Sequence, residues 1–302
     1  MLLDWALLAF LSSFIIATVV IIEKRLISVN INKFGGYYVW FATAQLIIAG
    51  LVYLIFGFPS TLQTSTMLTA YGAGVSYGIG ASFFFLGIRM EEASRSIAIL
   101  QTFPIFVTIL AVNFLNEDIS IPQQISIVVI VSGAYLISLK KLSLGAAFRP
   151  TKALPLLVLA SFGIGLGFFG NKIALQDTTV SVVYIFRCCG MATILLSFFR
   201  PSIVVEMLAN IRHTPTRNLI FLNLFILGPI GSILQLKATS LGPVSLVASI
   251  VCISPIIVFL VTAILTKTKL RALGEPIQRG TLTLKGAAMC LVVAGLIGLQ
   301  LL

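Results

Sequence analysis

The sequence predicts an all-α membrane protein of ten transmembrane helices, arranged as two inverted five-helix repeats over residues 1–148 and 149–302. Three observations carry that expectation. The first is composition: of 302 residues, 59% are hydrophobic and 10% charged, with mean hydropathy +1.10. Soluble domains carry about 25% charged residues, so this chain lacks the polar surface that water requires. The second is run length. A membrane-spanning helix needs about 20 mostly apolar residues. Ten such runs lie near 4–22, 35–57, 67–88, 96–115, 122–139, 154–175, 180–199, 217–236, 243–266 and 284–302. Barrel strands would alternate apolar and polar over about ten positions, and these runs do not. The third is internal repetition, carried by "ILQTFPIF" (99–106) and "IVCISPII" (250–257).

In order along the chain, the first run begins beside Asp4, with no basic residue before it and no small-x-small cleavage pattern after it. It reads as a retained span rather than a signal peptide. The third run holds "YGAGVSYGIG", with Gly74 and Gly78 at G-x-x-x-G spacing, and the sixth holds Gly163 and Gly167 at the same spacing. Small residues let membrane helices approach closely, which serves static packing or sliding between access states. Tyr71, Ser76 and Tyr77 give the third run a polar stripe. The fourth and ninth runs contain Pro104 and Pro255. Mid-helix proline removes a hydrogen bond and clashes with the preceding turn, at about 3 kcal/mol or more. Each is expected to kink its helix and free the carbonyl at residue 100 or 251 toward the cavity, unless neighbouring groups satisfy it.

The two halves align in consistent order. "SFIIATVVIIEK" (13–24) matches "SFGIGLGFFGNK" (161–172), opening on Ser-Phe and closing on Lys. Ser94 and Ser245 precede the proline-bearing runs, and "FLNED" with Glu117 and "ALGEP" with Glu275 follow them. "VIVSGAYLISL" then aligns Gly133 with Gly295 of "LVVAGLIGLQL". Five spans per half is odd, so the second copy enters from the opposite side. Inverted repeats are a recurrent plan of secondary transporters, with the substrate near the midplane where the halves meet.

Charge is lopsided. With loops assigned to alternating sides, seventeen of the 20 Lys and Arg residues fall on one side. Only Lys172 and Lys237 fall on the other, with Arg187 inside a span. The positive-inside rule makes the crowded side cytoplasmic, which puts both termini outside. The net charge of +11 does not point to nucleic acid, since no loop interleaves base-stacking aromatics with its basic residues. Cys188, Cys189, Cys252 and Cys290 all fall in spans without a C-x-x-C or nearby His. They read as buried thiols rather than metal ligands.

The cavity-directed residues are expected to be Gln101, Thr102, Pro104, Ser254 and Pro255 at the paired prolines, with Tyr77 on the third span. Tyr184 and Arg187 in "VYIFRCCG", and Asn171 and Lys172 in "GFFGNK", complete the set. Arg187 either snorkels to the interface or faces the cavity, where its planar fork suits a carboxylate or phosphate. Lys172 either anchors at the interface or stands at the cavity mouth. All nine acids lie in or at the edges of loops, with Glu23 at the end of the first span. Cationic-drug transport is thereby disfavoured, because it favours an acid at depth. No catalytic set is present: an intramembrane serine protease needs a Ser with a deep His or Lys, and an aspartyl protease two deep acids. No cofactor or metal is called for. The partners expected are a small-molecule substrate and the lipid bilayer, the chain acting as monomer or homodimer. A structural membrane subunit is the non-transporter alternative.

Five-span halves with the Pro of "LQTFPI" and "VCISPI", the loop Glu of "NED" and "LGE", and the last-span Gly resemble the EamA type of the drug/metabolite transporter superfamily. "RMEEAS" and "LKATSLGPVS" resemble its short connections. The resemblance implies a multi-pass plasma-membrane transporter of a small metabolite, typically an amino acid or related compound, that is exported. Sugar phosphates, nucleotide sugars and drugs are handled by other branches. It also implies cytoplasmic termini, opposite to the charge count.

Overall fold

Proline, glycine and charge punctuate long apolar runs, and the helices follow that punctuation. The computed structural model describes residues 2–31, 34–91, 93–137, 152–265, 286–288, 290–295 and 298. Helix α1 (Leu2–Arg25) continues into a wide π-helical segment, Leu26–Asn30. Helix α2 (Phe34–Phe56) stops at Gly57, whose φ of 62° favours a residue without Cβ. After α3 (Thr64–Met90) come α4 (Ala93–Leu100), α5 (Phe103–Leu115) and α6 (Ile121–Ile137). The second half runs through α7 (Leu154–Asp177), α8 (Val180–Leu196) and α9 (Pro201–Arg212). A continuous rod follows, from α10 (Thr214–Ile220) through a second π-helical segment, Phe221–Leu227, to α11 (Gly228–Leu241). Helices α12 (Val244–Val251) and α13 (Ser254–Leu265) close the main body.

Among the described residues, five helices are long and apolar enough to cross a bilayer alone: Asp4–Arg25, Gly35–Phe56, Thr64–Met90, Leu154–Asp177 and Thr214–Leu241. At 1.5 Å per residue, 22 residues reach about 33 Å, the thickness of the hydrocarbon layer. They correspond to five of the ten expected runs. The run at 180–199 ends early at Leu196, where "FFRP" turns the chain, and α9 leaves α8 at 108°. The runs at 96–115 and 243–266 are each broken in two, and α6 is a shorter apolar helix. Of the last run, Gly286–Gly295 is helical. Large apolar side chains face outward along these helices, among them Leu54, Phe114 and Val205. Such a surface is untenable in water and natural against lipid. The chain is a multi-pass membrane protein.

The breaks lie just before the prolines and share one hydrogen-bond pattern. Thr102 N donates to Ile99 O at 3.2 Å and Ile105 N to Thr102 O at 3.1 Å; Ile253 N donates to Ile250 O at 3.1 Å and Ile256 N to Ile253 O at 2.9 Å. Both are tight i→i+3 turns, which release the α-helical ladder where proline lacks its donor.

First-half helices pack chiefly on second-half helices. Helix α3 lies along α7 and α8, α2 along α8, and α1 along α11. The α3–α8 contact is backbone against backbone. A methyl at Gly74 would strike the Arg187 backbone, and one at Gly190 would strike the Tyr71 carbonyl. Only glycine permits that approach, and it fixes Arg187 beside α3.

Candidate binding cavity

Helical spacing builds one cavity between the halves. Helix α1 contributes Ile16, Val19, Val20 and Glu23, a stripe at i, i+3, i+4 and i+7. Helix α2 adds Phe41 and Gln45, α3 adds Tyr77, Ala81, Phe84 and Phe85, and α8 adds Arg187 and Met191. Leu100 of α4, Ile164 of α7 and Asn223, Leu224, Gly228 and Ser232 from the α10–α11 rod close it, around about 120 Å³. An apolar cavity of roughly 150 Å³ takes benzene, so this one suits a molecule of a few heavy atoms or part of a larger one.

Arg187 does not snorkel. Its side chain is 1% exposed, and Cζ stands 4.8 Å from the centroid of the Tyr77 ring. That cation–π contact offsets part of the burial cost. Among the described residues its Nε and Nη1 have no hydrogen-bond partner. A guanidinium is acceptor-free and offers five N–H donors in a fixed fork. A residue that lines the cavity and keeps idle N–H donors suits an anion. Tyr184, one turn earlier on α8, is buried in the apolar cluster with Ala70, Val183 and Cys188 and does not line the cavity. Cys188 Sγ donates to Gln45 Oε1 at 2.9 Å, which orients that amide.

The paired breaks meet each other beside this space. Gln101 Nε2 donates to Val251 O at 3.4 Å, and Cys252 Sγ donates to Gln101 O at 3.1 Å. Ser254 Oγ also donates to Val251 O, at 2.8 Å. The carbonyl at residue 251 is thus satisfied by protein rather than turned to a ligand. Thr102 Oγ1 shares a 2.8 Å hydrogen bond with Ser161 Oγ. Pro104 is buried at the start of α5, and the side chain of Pro255 lies outside the described residues. Among the described residues at these breaks, Leu100, just before Gln101, reaches the cavity wall.

Lys172 Nζ donates to Thr239 O at 3.0 Å and Gly242 O at 2.8 Å, closing the C-terminus of α11. Lys24 Nζ does the same at the end of α3, donating to Ile88 O and, at 2.9 Å, to Glu91 O. Terminal carbonyls of a helix are a natural place for a cation. Asn171 is buried beside Lys172, with Oδ1 unpartnered. Glu117 caps the opposite kind of end: Oε1 accepts from Val244 N at 2.7 Å and Oε2 from Ser245 Oγ at 2.6 Å, at the start of α12. Glu275 lies outside the described residues.

Sequence reasoning brought Tyr77 and Arg187 to the same cavity but missed Glu23, Gln45 and Asn223. Glu23 is 4% exposed, with Tyr37 Oη donating to Oε1 at 3.0 Å. In the sequence it stands in "EKR" and reads as an interfacial charge; its "i, i+3, i+4, i+7" stripe with Ile16, Val19 and Val20 was the available signal. Asn223 sits in a π-helical segment, a feature common at functional sites that hydropathy does not reveal. Among the described residues no group of three His, Cys, Asp or Glu side chains gathers to hold a metal.

Beside the helix packing, the embedded cavity and the broken helix at each proline stands a match of residues 3–139 to the EamA-like transporter family. That stretch resembles it. The EamA-like segment covers α1 through α6. A crystal structure described only as "Crystal structure of protein" aligns with 97% of this chain and 94% of its own, at TM-score 0.62 and 12% identity. That likeness shows a shared fold. Among curated proteins none matches.

Proposed function

We propose that the chain is a secondary transporter that exports a small carboxylate-bearing metabolite, an amino acid or related compound, across the plasma membrane by alternating access. The observation that carries this reading is the Arg187 guanidinium, buried at the cavity with two unpartnered nitrogens. Glu23 balances the charge of the cavity, but the idle donors of Arg187 favour a substrate carboxylate, and the aromatic wall of Phe41, Phe84 and Phe85 favours an apolar body. A volume of about 120 Å³ favours an amino-acid-sized ligand over a nucleotide sugar.

In this reading the halves 1–148 and 149–302 are inverted repeats. Their ten spans include the two broken helices, α4–α5 and α12–α13, each as one crossing. Support comes from matched local chemistry: the identical turns at Thr102 and Ile253, and the identical caps made by Lys24 and Lys172. Gly133 and Gly295 face each other's helices, toward Val292 and Ile130 respectively. Gln101, Thr102 and Ser254 then serve as the joint between broken helices, bordering the cavity rather than donating to the substrate.

The test is transport in proteoliposomes against a panel of labelled amino acids, organic acids and cationic drugs. Carboxylate-bearing members should move, with a loss of affinity in Arg187→Gln. A preference for cations that is indifferent to Arg187→Gln would sink the reading.

A further inference from the structure

Glu23 is a buried acid in the same cavity as Arg187. Its environment is polar on one side only. Tyr37 Oη donates to it, and Asn223 Nδ2 donates to Tyr37 Oη at 3.5 Å. The titratable or charged groups that face it are Tyr37 from α2, Tyr77 from α3 and Arg187 from α8; the α10–α11 rod supplies the neutral amide of Asn223. On its own helix, Lys24 turns to the carbonyls of Ile88 and Glu91.

The repeat isolates what the acid adds. Lys24 and Lys172 make equivalent caps, and the residue before each is buried: Glu23 in the first half, Asn171 in the second. An uncharged amide therefore suffices to pack beside the lysine. The first half instead holds a group able to carry a proton.

Charge balance gives that group a role. With Glu23 ionised, the empty cavity is neutral, one carboxylate against one guanidinium. A substrate carboxylate on Arg187 would leave two anions and one cation in about 120 Å³, away from the water that screens like charges. Neutrality returns when Glu23 takes a proton. We propose that Glu23 gains a proton as a carboxylate substrate binds and carries it across with that substrate, so that a substrate anion moves with one proton. The step needs only water: an Oε–H bond forms with a proton from the side on which the cavity is open. It breaks to water on the other side, as the substrate leaves Arg187. A zwitterion brings its own ammonium and needs no proton. This inference rests on the carboxylate reading of the cavity.

The experiment is titration calorimetry of the full chain in lipid nanodiscs at alkaline pH, where Glu23 starts ionised, in buffers of different ionisation enthalpy. The two probes are leucine and 4-methyl-2-oxopentanoate, which share carboxylate and side chain and differ at the ammonium. The expected result is uptake of about one proton per bound oxo acid and none with leucine. Glu23→Gln should remove the uptake whatever its affinity, and Glu23→Asp should keep it. Oxo-acid binding without proton uptake, or full uptake by Glu23→Gln, overturns the proposal. Should Glu23→Gln not fold, the contrast between the two probes on the unaltered chain still decides. Binding of neither probe, or equal binding by Arg187→Gln, removes the carboxylate site itself, and the coupling with it.

Discussion

The Arg187 guanidinium is held by a cation–π contact with Tyr77 but leaves Nε and Nη1 idle. A charge-assisted hydrogen bond is worth about 1.5–3 kcal/mol, and about 1.4 kcal/mol is a factor of ten. Arg187→Gln should therefore weaken carboxylate binding roughly 10- to 100-fold, read as a shift in half-saturation of transport. Arg187→Lys should recover charge but not the two-pronged geometry, and should fall between. Tyr37 tests the other pole of the cavity. Tyr37→Phe strips Glu23 of its hydroxyl donor and leaves Asn223 Nδ2 without its acceptor. The expected cost is about 1–3 kcal/mol, visible as a lower unfolding temperature in detergent.

At the scale of elements, close helix contact is the controlling feature. Gly74→Leu forces a side chain into the Arg187 backbone. Overpacking costs about 1–3 kcal/mol, and here it also displaces the binding residue, so transport should fall further than stability. Glu117→Ala removes the acceptor for Val244 N and Ser245 Oγ at the start of α12. A lost cap costs about 1 kcal/mol; Glu117→Gln, which keeps an acceptor, should recover part of it in the same unfolding measurement. These elements also show what was legible in the sequence. The breaks at Pro104 and Pro255 were, because a missing N–H acts locally and needs no partner to be foreseen. Arg187 stood out because charge is rare inside an apolar run. Glu23 did not: two residues from the end of α1 it has the same neighbours in sequence as any interfacial acid. Its burial depends on Tyr37 and Asn223 closing over it, 14 and 200 positions away. Lys172 was expected at an interface or cavity mouth, and its role in closing α11 depends on where Thr239 and Gly242 come to lie.

For the whole molecule, the described helices of residues 2–137 find their main partners among those of residues 152–265. The cavity is a consequence of that exchange, since α1, α2 and α3 meet α8 and the α10–α11 rod around it. Topology follows from the ten-span reading. An even number of crossings puts both termini on one side, which the charge count expects to be outside and the EamA resemblance expects to be cytoplasmic. Compartment-sensitive reporters fused to each end check this: agreement between ends supports ten crossings, and opposite signals break the count. The central claim, that a substrate carboxylate sits on Arg187 between the halves, is tested most directly by solving the structure with leucine bound. The carboxylate should lie within hydrogen-bond distance of the Arg187 guanidinium, with Nε or Nη1 among its donors, and the leucine side chain against Phe41, Phe84 and Phe85. Leucine seated elsewhere, with those nitrogens still unpartnered, would contradict the account.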